Sequence, residues 1–257
     1  MADDEALVLT EARGKTLLIT LNRPDARNAV NRELAEALAS ALDGLDADPA
    51  LAVGVLTGAG RGFSAGMDLK AFLSGGLPNV PGRGFAGLTE SACRKPLIAA
   101  IEGFALAGGL EIALSCDLIV AAEGARLGIP EVGVGLFAGA GALLRLPRRV
   151  PYGVAVEMAL TADPITAERG AEIGLVDRLA GPGEAVSVAL ELAERIARNA
   201  PLALAASKEI LRETQGRTEA EFWELQRDHM RGVFASEDAK EGATAFAEKR
   251  APNWQGK

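Results

Sequence analysis

The feature that most constrains the fold is an apolar run from Pro96 to Ala122, PLIAAIEGFALAGGLEIALSCDLIVAA. The run is long enough to cross a bilayer, yet it contains Glu102, Glu111 and Asp117. Carboxylates within a membrane span are costly, so we expect the run to form the buried core of a globular protein. Its pattern predicts a strand, a helix over AGGLEIALSC and a second strand.

The rest of the first half also alternates between strand and helix patterns, which predicts an α/β core. The stretch LVLTEARGKTLLITLNR indicates two strands around a turn at Arg13-Gly14, and LAVGVLTG indicates a buried strand. Leucines at helical spacing between them predict a helix with Asn31 as its N-cap. The Gly- and Pro-rich segment Phe72–Ala86 is expected to be a mobile loop.

From about Pro151 onward the pattern is helical. The segments GEAVSVALELAERIARNA and PLALAASKEILRET are amphipathic, as is a segment starting near Glu219. A further helix in the tail is expected to end at Pro252. The sequence therefore predicts an α/β region that carries the functional site over residues 1–195, and a helical region over residues 196–257.

Composition and charge exclude several classes of protein. The 257 residues carry a net charge of −8, which argues against a nucleic-acid partner. The acidic N-terminus MADDEALVLTEARG resembles no targeting peptide, and the spacing of Cys93 and Cys116 is typical of buried thiols in a reducing compartment. We therefore expect a cytoplasmic protein that is not bound to a membrane. No group of His, Cys and Asp has metal-ligand spacing, so no metal is expected.

The Gly-rich segment GRGFSAGMDLK follows the LAVGVLTG strand. Gly58 and Gly60 supply the first two glycines of a dinucleotide-binding fingerprint, but Phe63 occupies the third position. A tight turn is one alternative. The other is that the backbone N–H groups near Gly66 and Met67 bind a ligand.

Two glutamates are candidate catalytic groups. Glu111 is expected to point into the interior, as a functional group or as a paired structural carboxylate. Glu131 follows a proline and could be an exposed turn residue, or the second member of an acid–base pair. The predicted helical face contains Gly108, Glu111, Ile112, Ser115 and Ile119.

Competing constellations are weaker. His229 is the single histidine, and a Ser-His-Asp triad would require it, together with a serine such as Ser64. Arg145, Arg148 and Arg149 form a small basic run, which we interpret as a solvated or interface face.

Several motifs in order resemble the crotonase superfamily, the enoyl-CoA hydratase/isomerase family, over nearly the whole chain. They are LNRPDARNAV, RGFSAGMDLK, AAIEGFALAGGLEIALSCDLIVAA, LGIPEVGVGLFAGAGALLRLPR, ALTADPITAERGAEIGLVDRL and GATAFAEKRAPNW. The resemblance implies a ClpP-like spiral of ββα units. It also implies a C-terminal helical region that mediates trimerisation, with trimers often pairing into hexamers.

The resemblance assigns the site. It implies that the amides of Met67 and Gly108 form an oxyanion hole for the thioester oxygen of an acyl-CoA. Glu111 would activate a water that adds at Cβ, Glu131 would deliver the proton at Cα, and the Gly139 amide would help place the water. Related isomerases can work with one glutamate at the Glu131 position, so the presence of Glu111 favours a hydratase over a Δ3,Δ2-enoyl-CoA isomerase.

The resemblance also implies how coenzyme A binds. CoA arrives with the substrate, so no separate cofactor is implied. The chain before and within the Gly-rich segment resembles adenine and pantetheine contacts, and the AFAEKR motif resembles residues that reach a neighbouring subunit's ligand. The residues implied are Ala26, Asn28, Ala65, Gly66, Asp68, Leu69, Lys70, Phe246 and Lys249.

The chain departs from the common pattern at Ala107, Ala138 and Ala142, where many hydratases have Gly, Pro and Gly. GFALAGGLEIALSCDLIVAA and LLRLPRRV are similar to bacterial paralogues, including carnitinyl-CoA dehydratase-like proteins. An alternative of another class is a non-catalytic acyl-CoA-binding protein of this fold. The presence of both glutamates argues against it.

Overall fold

The structure is a computed structural model that describes residues 6–74, 76–91 and 93–257. Its strands are β1 (Val8–Arg13), β2 (Thr16–Leu21), β3 (Val53–Gly58), β4 (Asn79–Val80), β5 (Gly84–Phe85), β6 (Leu97–Ile101), β7 (Phe104–Leu106), β8 (Leu118–Ala122), β9 (Arg126–Gly128), β10 (Ile165–Thr166) and β11 (Arg178–Ala180). Its helices are α1 (Arg32–Ala47), α2 (Leu69–Leu73), α3 (Gly108–Ser115), α4 (Ala142–Arg149), α5 (Tyr152–Thr161), α6 (Ala167–Glu172), α7 (Ala185–Ala197), α8 (Pro201–Glu213), α9 (Glu219–Phe234) and α10 (Glu237–Glu248). Short 3-10 turns cover Pro24–Ala26 and Pro130–Val134.

The predicted α/β core is confirmed. Six strands form the main sheet in the order β1-β2-β3-β6-β8-β11. The β1–β2 pair is an antiparallel hairpin, and the other neighbours in this sheet are parallel. Parallel strands are joined through crossovers that place helices on the sheet, which explains the alternation in the sequence. Asn31 caps α1, because its side chain accepts a hydrogen bond from the Leu34 amide.

The inner strands β2, β3, β6 and β8 are buried on both faces and are therefore mainly apolar, whereas the edge strand β1 is largely exposed. Val55 packs with one apolar cluster and its neighbour Leu56 with the other, as the two-residue period of a strand requires. Helix α7 covers the first face with alanines spaced four residues apart. The buried alanines of α7 are Ala185, Ala189, Ala193 and Ala197.

A smaller sheet positions the candidate site. Its order is β10-β9-β7, and the β7–β9 pair is parallel with Leu106 opposite Gly128. Helix α3, with Glu111 in its first turn, follows β7, and the 3-10 turn with Glu131 follows β9. Because the carboxyl ends of parallel neighbours lie at one edge of the sheet, the chain brings both glutamates to the same place.

Some local predictions were wrong. The Phe72–Ala86 segment is not a loop throughout, because α2 ends at Leu73 and the β4–β5 hairpin occupies its second half. Gly75 lies outside the described residues, as does the stretch 1–5 of the acidic N-terminus. The hairpin forms through backbone hydrogen bonds between β4 and β5. Each of these strands has only two residues, which is too short for hydrophobic periodicity to predict.

Two helix boundaries also differ. Helix α3 ends at Ser115, so Ile119 lies on β8 and not on the face of Glu111. Helix α10 ends at Glu248, where Lys249 adopts a left-handed conformation with φ of +55°. Pro252 therefore does not end this helix. The region after Pro151 is mainly helical, but it also contributes β10 and β11.

Across the parts of the chain that the structure describes, no helix is both long and apolar enough to span a membrane. The apolar run from Pro96 to Ala122 is divided among β6, β7, α3 and β8. Its expected role as buried core is confirmed: Ile98, Ala113 and Val120 are fully buried. The division of the chain after residue 195 stays a prediction; α7 continues to Ala197.

Candidate active site

The Gly-rich segment presents a backbone amide at Met67. Val30 donates to the Gly66 carbonyl at 2.7 Å and accepts from the Asp68 amide at 2.9 Å. This pairing leaves the Met67 N–H, which lies between them, without an acceptor among the described residues. Gly108 is the first residue of α3, so its N–H has no partner inside the helix, and no acceptor for it occurs elsewhere in the described ranges.

The two backbones lie in direct contact because both are glycine-rich. Gly66 has φ of +91°, and a Cβ there would lie 2.7 Å from the Gly108 nitrogen. A Cβ on Gly109 would lie 2.2 Å from the Ser64 carbonyl oxygen. Side chains would therefore separate the segment from the start of α3. Adjacent free amides at a helix N-terminus form a place where negative charge on oxygen is stabilised.

Ala107, directly before Gly108, has φ of +51° and ψ of −131°. This backbone conformation is strained for a residue with a Cβ. The geometry explains why a glycine is common at this position in the family that the sequence resembles. The strain is held by tertiary contacts, including the hydrogen bond from the Ala107 amide to the Gly128 carbonyl at 2.9 Å.

Glu111 is buried, as predicted, with 3% of its surface exposed. Its Oε1 accepts hydrogen bonds from the amides of Ala140 at 2.7 Å and Ala142 at 3.0 Å. Burial raises the pKa of Glu111, and these amides and the Arg145 guanidinium oppose that rise. The carboxylate is thus held by backbone and is not part of a salt bridge among the described residues.

Glu131 is also buried, with 9% exposed, which excludes the reading as an exposed turn residue. Its Oε2 has no hydrogen-bond partner among the described residues. Burial raises the pKa of Glu131 to about 7, and the nearby charge of Glu111 contributes to the rise. One carboxyl held by amides beside another that retains its proton near neutral pH is an arrangement suited to acid–base chemistry.

The raised pKa predicts a pH-dependent stability. The folded-state pKa of about 7 exceeds the ordinary value of 4.5, so this group's contribution is intact below pH 4.5 and lost as pH rises through 7. Glu131→Gln removes the free-energy cost of ionising this buried carboxyl in the folded protein. We expect its gain in unfolding free energy over the wild type to be about 3 kcal/mol larger at pH 8 than at pH 4.5. Chemical denaturation at both pH values measures this difference, and an equal gain at both would contradict it.

The segments expected to contact CoA lie side by side. The Ala65 amide donates to the Arg27 carbonyl at 3.0 Å, directly between Ala26 and Asn28. Asp68 caps α2 by accepting from the Lys70 amide, and it pairs with Arg23 at 3.1 Å. Leu69 and Lys70 begin α2 at the surface, and Leu69 is 47% exposed. The structure therefore groups these residues beside the candidate oxyanion hole.

Asn28 is fully buried and its side chain is used internally. Its Oδ1 accepts from the Arg23 amide, and its Nδ2 donates to the carbonyls of Ala59 and Gly62, all at 2.9 Å. The side chain thus ties the Gly-rich segment to the chain before α1. Its contact with CoA, as predicted from the resemblance, would have to be made through the backbone.

The remaining predicted residues lie elsewhere. Phe246, which is 88% exposed, lies on α10, and Lys249 directly follows the last residue of this helix, which packs on α9. Gly139 lies next to Ala140, whose amide holds Glu111, but its own predicted role with water stays a prediction.

A serine–histidine pair is absent from the geometry. The Ser64 hydroxyl donates to the Asn28 carbonyl at 2.8 Å, and His229 lies on α9 at 4.0 Å from Glu209 of α8.

Cys93 and Cys116 are free and buried, as predicted. Within the described ranges, no three His, Cys, Asp or Glu side chains are grouped as metal ligands would be.

The basic run was predicted to form a solvated or interface face. Arg145 and Arg149 are half-buried and are not part of a solvated face, and the interface alternative stays a prediction. Arg149 donates to the Cys116 and Asp117 carbonyls at 3.2 and 2.8 Å, and Arg145 lies behind the loop that holds Glu111. Only Arg148 of the run is exposed. The sequence pointed to neither internal role, because the partners are backbone carbonyls, which leave no side-chain pattern.

Two amides without a described acceptor and two buried carboxyls suit reactions in which a carbonyl oxygen gains negative charge. The family model described as enoyl-CoA hydratase/isomerase matches residues 11–257. Enoyl-CoA hydratase EchA19 of Mycobacterium tuberculosis is 44% identical over 96% of each chain. Carnitinyl-CoA dehydratase of Proteus mirabilis is 41% identical over 98% of this chain and 99% of that protein.

Solved structures agree with these sequence matches. A crystal structure of an enoyl-CoA hydratase from Mycobacterium tuberculosis superposes with a TM-score of 0.96 at 54% identity, over 98% of this chain and all of that one. A crystal structure of enoyl-CoA hydratase EchA1 from Mycobacterium marinum gives a TM-score of 0.96 at 55% identity with the same coverage. The chain belongs to the enoyl-CoA hydratase/isomerase family, and the predicted crotonase fold is confirmed.

Proposed function

We propose that the protein is an enoyl-CoA hydratase, a hydro-lyase that adds water across the 2,3 double bond of a trans-2-enoyl-CoA, or removes it in reverse. The observation that carries the proposal is the unequal environment of the two buried carboxyls. Backbone amides hold Glu111 as a base, while Glu131 has an unpartnered oxygen and a pKa of about 7. Both lie beside the free amides of Met67 and Gly108.

The proposed reaction uses each group once. Glu111 removes a proton from water as its oxygen bonds to Cβ, and the π electrons move toward the thioester oxygen. The amides of Met67 and Gly108 stabilise that oxygen as it becomes enolate-like. Glu131 then gives its proton to Cα. The pair gains one proton and loses one, so its proton count is unchanged and its pKa values belong to the pair.

Coenzyme A would enter with the acyl group, along the surface formed by the Pro24–Ala26 turn and the start of α2, and no further cofactor takes part in this chemistry. Phe246 and Lys249 would serve a neighbouring subunit in a homo-trimer or a hexamer built from trimers. The exposure of Phe246, and the packing of α10 on α9, support that role. The net charge of −8 argues against a nucleic-acid partner, and the free, buried Cys93 and Cys116 support a cytoplasmic protein.

The test is product analysis with matched substrates. The protein is incubated in ¹⁸O-water with crotonyl-CoA, with a trans-3-enoyl-CoA and with the trimethylammonium-bearing substrate of a carnitinyl-CoA dehydratase. We expect a 3-hydroxyacyl-CoA labelled at C3 from crotonyl-CoA. Conversion of the 3-enoyl thioester alone would identify an isomerase. Turnover of the trimethylammonium substrate alone would identify a carnitinyl-CoA dehydratase. Binding without turnover of any substrate would identify a non-catalytic acyl-CoA-binding protein.

A further inference from the structure

Arg145 lies on the far side of the loop that holds Glu111. The amides of Ala140 and Ala142 face the Glu111 carboxylate, whereas the Ala140 carbonyl accepts from Arg145 Nη1 at 3.3 Å. A Cβ on Gly141 would lie 2.0 Å from the same nitrogen, so the guanidinium rests directly against the loop. Backbone between the two side chains therefore separates a buried anion from a half-buried cation.

The other arm of the guanidinium reaches a different part of the fold. Arg145 Nη2 donates to the Thr89 carbonyl, and Thr89 is buried in the segment after β5. Phe85 of β5 packs against the start of α3, because a Cβ on Gly108 would meet its ring at 2.6 Å. Arg145 thus joins the loop behind Glu111 to the segment that supports the candidate oxyanion hole.

The charges near Glu111 are few in the described structure. On α4, Arg145 is the cation that acts on its carboxyl, and on the neighbouring 3-10 turn Glu131 is the anion coupled to it. Arg145 itself faces Arg148 on its own helix and the Cys116 thiol after α3. Arg148 turns outward and donates to Gln215 at 2.6 Å. Among the described residues, Arg145 is therefore the cation coupled to the Glu111 carboxyl.

We propose that Arg145 is a positioning residue of the hydration reaction, which clamps the Ala140–Ala142 loop between Glu111 and Thr89 and supplies the positive charge behind it. This role rests on the proposed hydratase function. Burial alone raises the pKa of Glu111, and the bonded amides and the guanidinium oppose that rise. Loss of the guanidinium removes both the charge and the tie that keeps the amides in place.

The experiment compares Arg145→Gln with Arg148→Gln, a matched loss of one charge from the same helix. The acidic limb of the pH profile of kcat/KM with crotonyl-CoA reports the protonation of the base. We expect Arg145→Gln to move this limb upward by about one pH unit, because the carboxylate loses a nearby cation. Arg148→Gln is expected to leave it in place. An unmoved limb in folded Arg145→Gln would overturn the inference.

A second variant distinguishes the loop-holding role of Arg145 from the effect of its charge. It also keeps the inference testable if Arg145→Gln does not fold. Arg145→Lys keeps the charge but cannot hold both carbonyls with one planar fork. We expect the limb of Arg145→Lys to stay near that of the wild type while kcat falls about tenfold from misplacement of the base. Wild-type kcat in this variant, with an unmoved limb, would overturn the clamp.

A measurement without turnover keeps the two proposals distinct. Isotope-edited infrared spectra of the ligand-free protein, with Glu111→Gln to assign the band, report ionisation of the Glu111 carboxyl against pH. A higher midpoint of the Glu111 titration in Arg145→Gln supports the inference even if no enoyl-CoA is hydrated. In that case only the proposed function fails. Identical titrations in both proteins would overturn the inference while hydration by the wild type leaves the function standing.

Discussion

Glu131→Gln is expected to lower kcat for crotonyl-CoA hydration about a thousandfold, with little change in affinity for the CoA thioester. Glutamine has nearly the same shape but cannot deliver a proton to Cα. The buried, unpartnered Oε2 of Glu131 accounts for the size of the loss, because no other described side chain donates at that position. Stopped-flow absorbance gives kcat, and calorimetry with a non-reactive acyl-CoA gives the affinity.

Glu123→Gln is the matched control for this substitution. Glu123 is exposed at the end of β8, so the change removes the same charge outside the site. The control is expected to keep wild-type kcat. Full activity of Glu131→Gln beside an active control would mean that another group protonates Cα, and the proposed mechanism would be wrong.

Gly66→Ala is expected to lower kcat/KM about a hundredfold or more, equivalent to about 3 kcal/mol of transition-state stabilisation. The new methyl group would lie 2.7 Å from the Gly108 nitrogen and 2.9 Å from the Ala107 Cβ. The segment and α3 must then separate, so the amides of Met67 and Gly108 can no longer converge on one oxygen. Steady-state kinetics with crotonyl-CoA measures the loss.

Gly14→Ala controls for backbone strain. Gly14 has φ of +60° in the β1–β2 turn, and a Cβ there would meet no atom within 4 Å. Both substitutions place alanine at positive φ, but only one crowds the candidate oxyanion hole. Equal activity losses in the two variants would show that strain, and not the amide pair, explains the result.

Local pattern was sufficient to predict much of the main sheet and α3. Carboxylates in the apolar run from Pro96 to Ala122 argued against a membrane span. The predicted strand, helix and second strand correspond to β6, α3 and β8, but β7 was not predicted. Glu111 was predicted to be buried because an apolar helical face is a property of neighbouring residues. The burial of Glu131 was not predicted from its own neighbours, since it depends on the β7–β9 pairing between distant segments.

Arg145 shows why part of the site could not be read from local pattern. Its side chain matters because the loop at Gly141, where φ is +107°, turns amides inward and a carbonyl outward. Nothing in the sequence RLPRRV distinguishes this arginine from the exposed Arg148. The Gly-rich segment suggested a ligand-binding amide near Met67 as one alternative. Its pairing with the Gly108 amide was predicted from the family resemblance, because backbone groups leave no side-chain pattern.

Two unlike glutamates beside a pair of free amides are proposed to hydrate an enoyl thioester. The most direct measurement is the loss of enoyl-thioester absorbance after mixing the protein with crotonyl-CoA, repeated with Glu131→Gln. We expect rapid loss with the wild type and about a thousandfold slower loss with the variant. No loss with the wild type, or equal rates for both proteins, would contradict it.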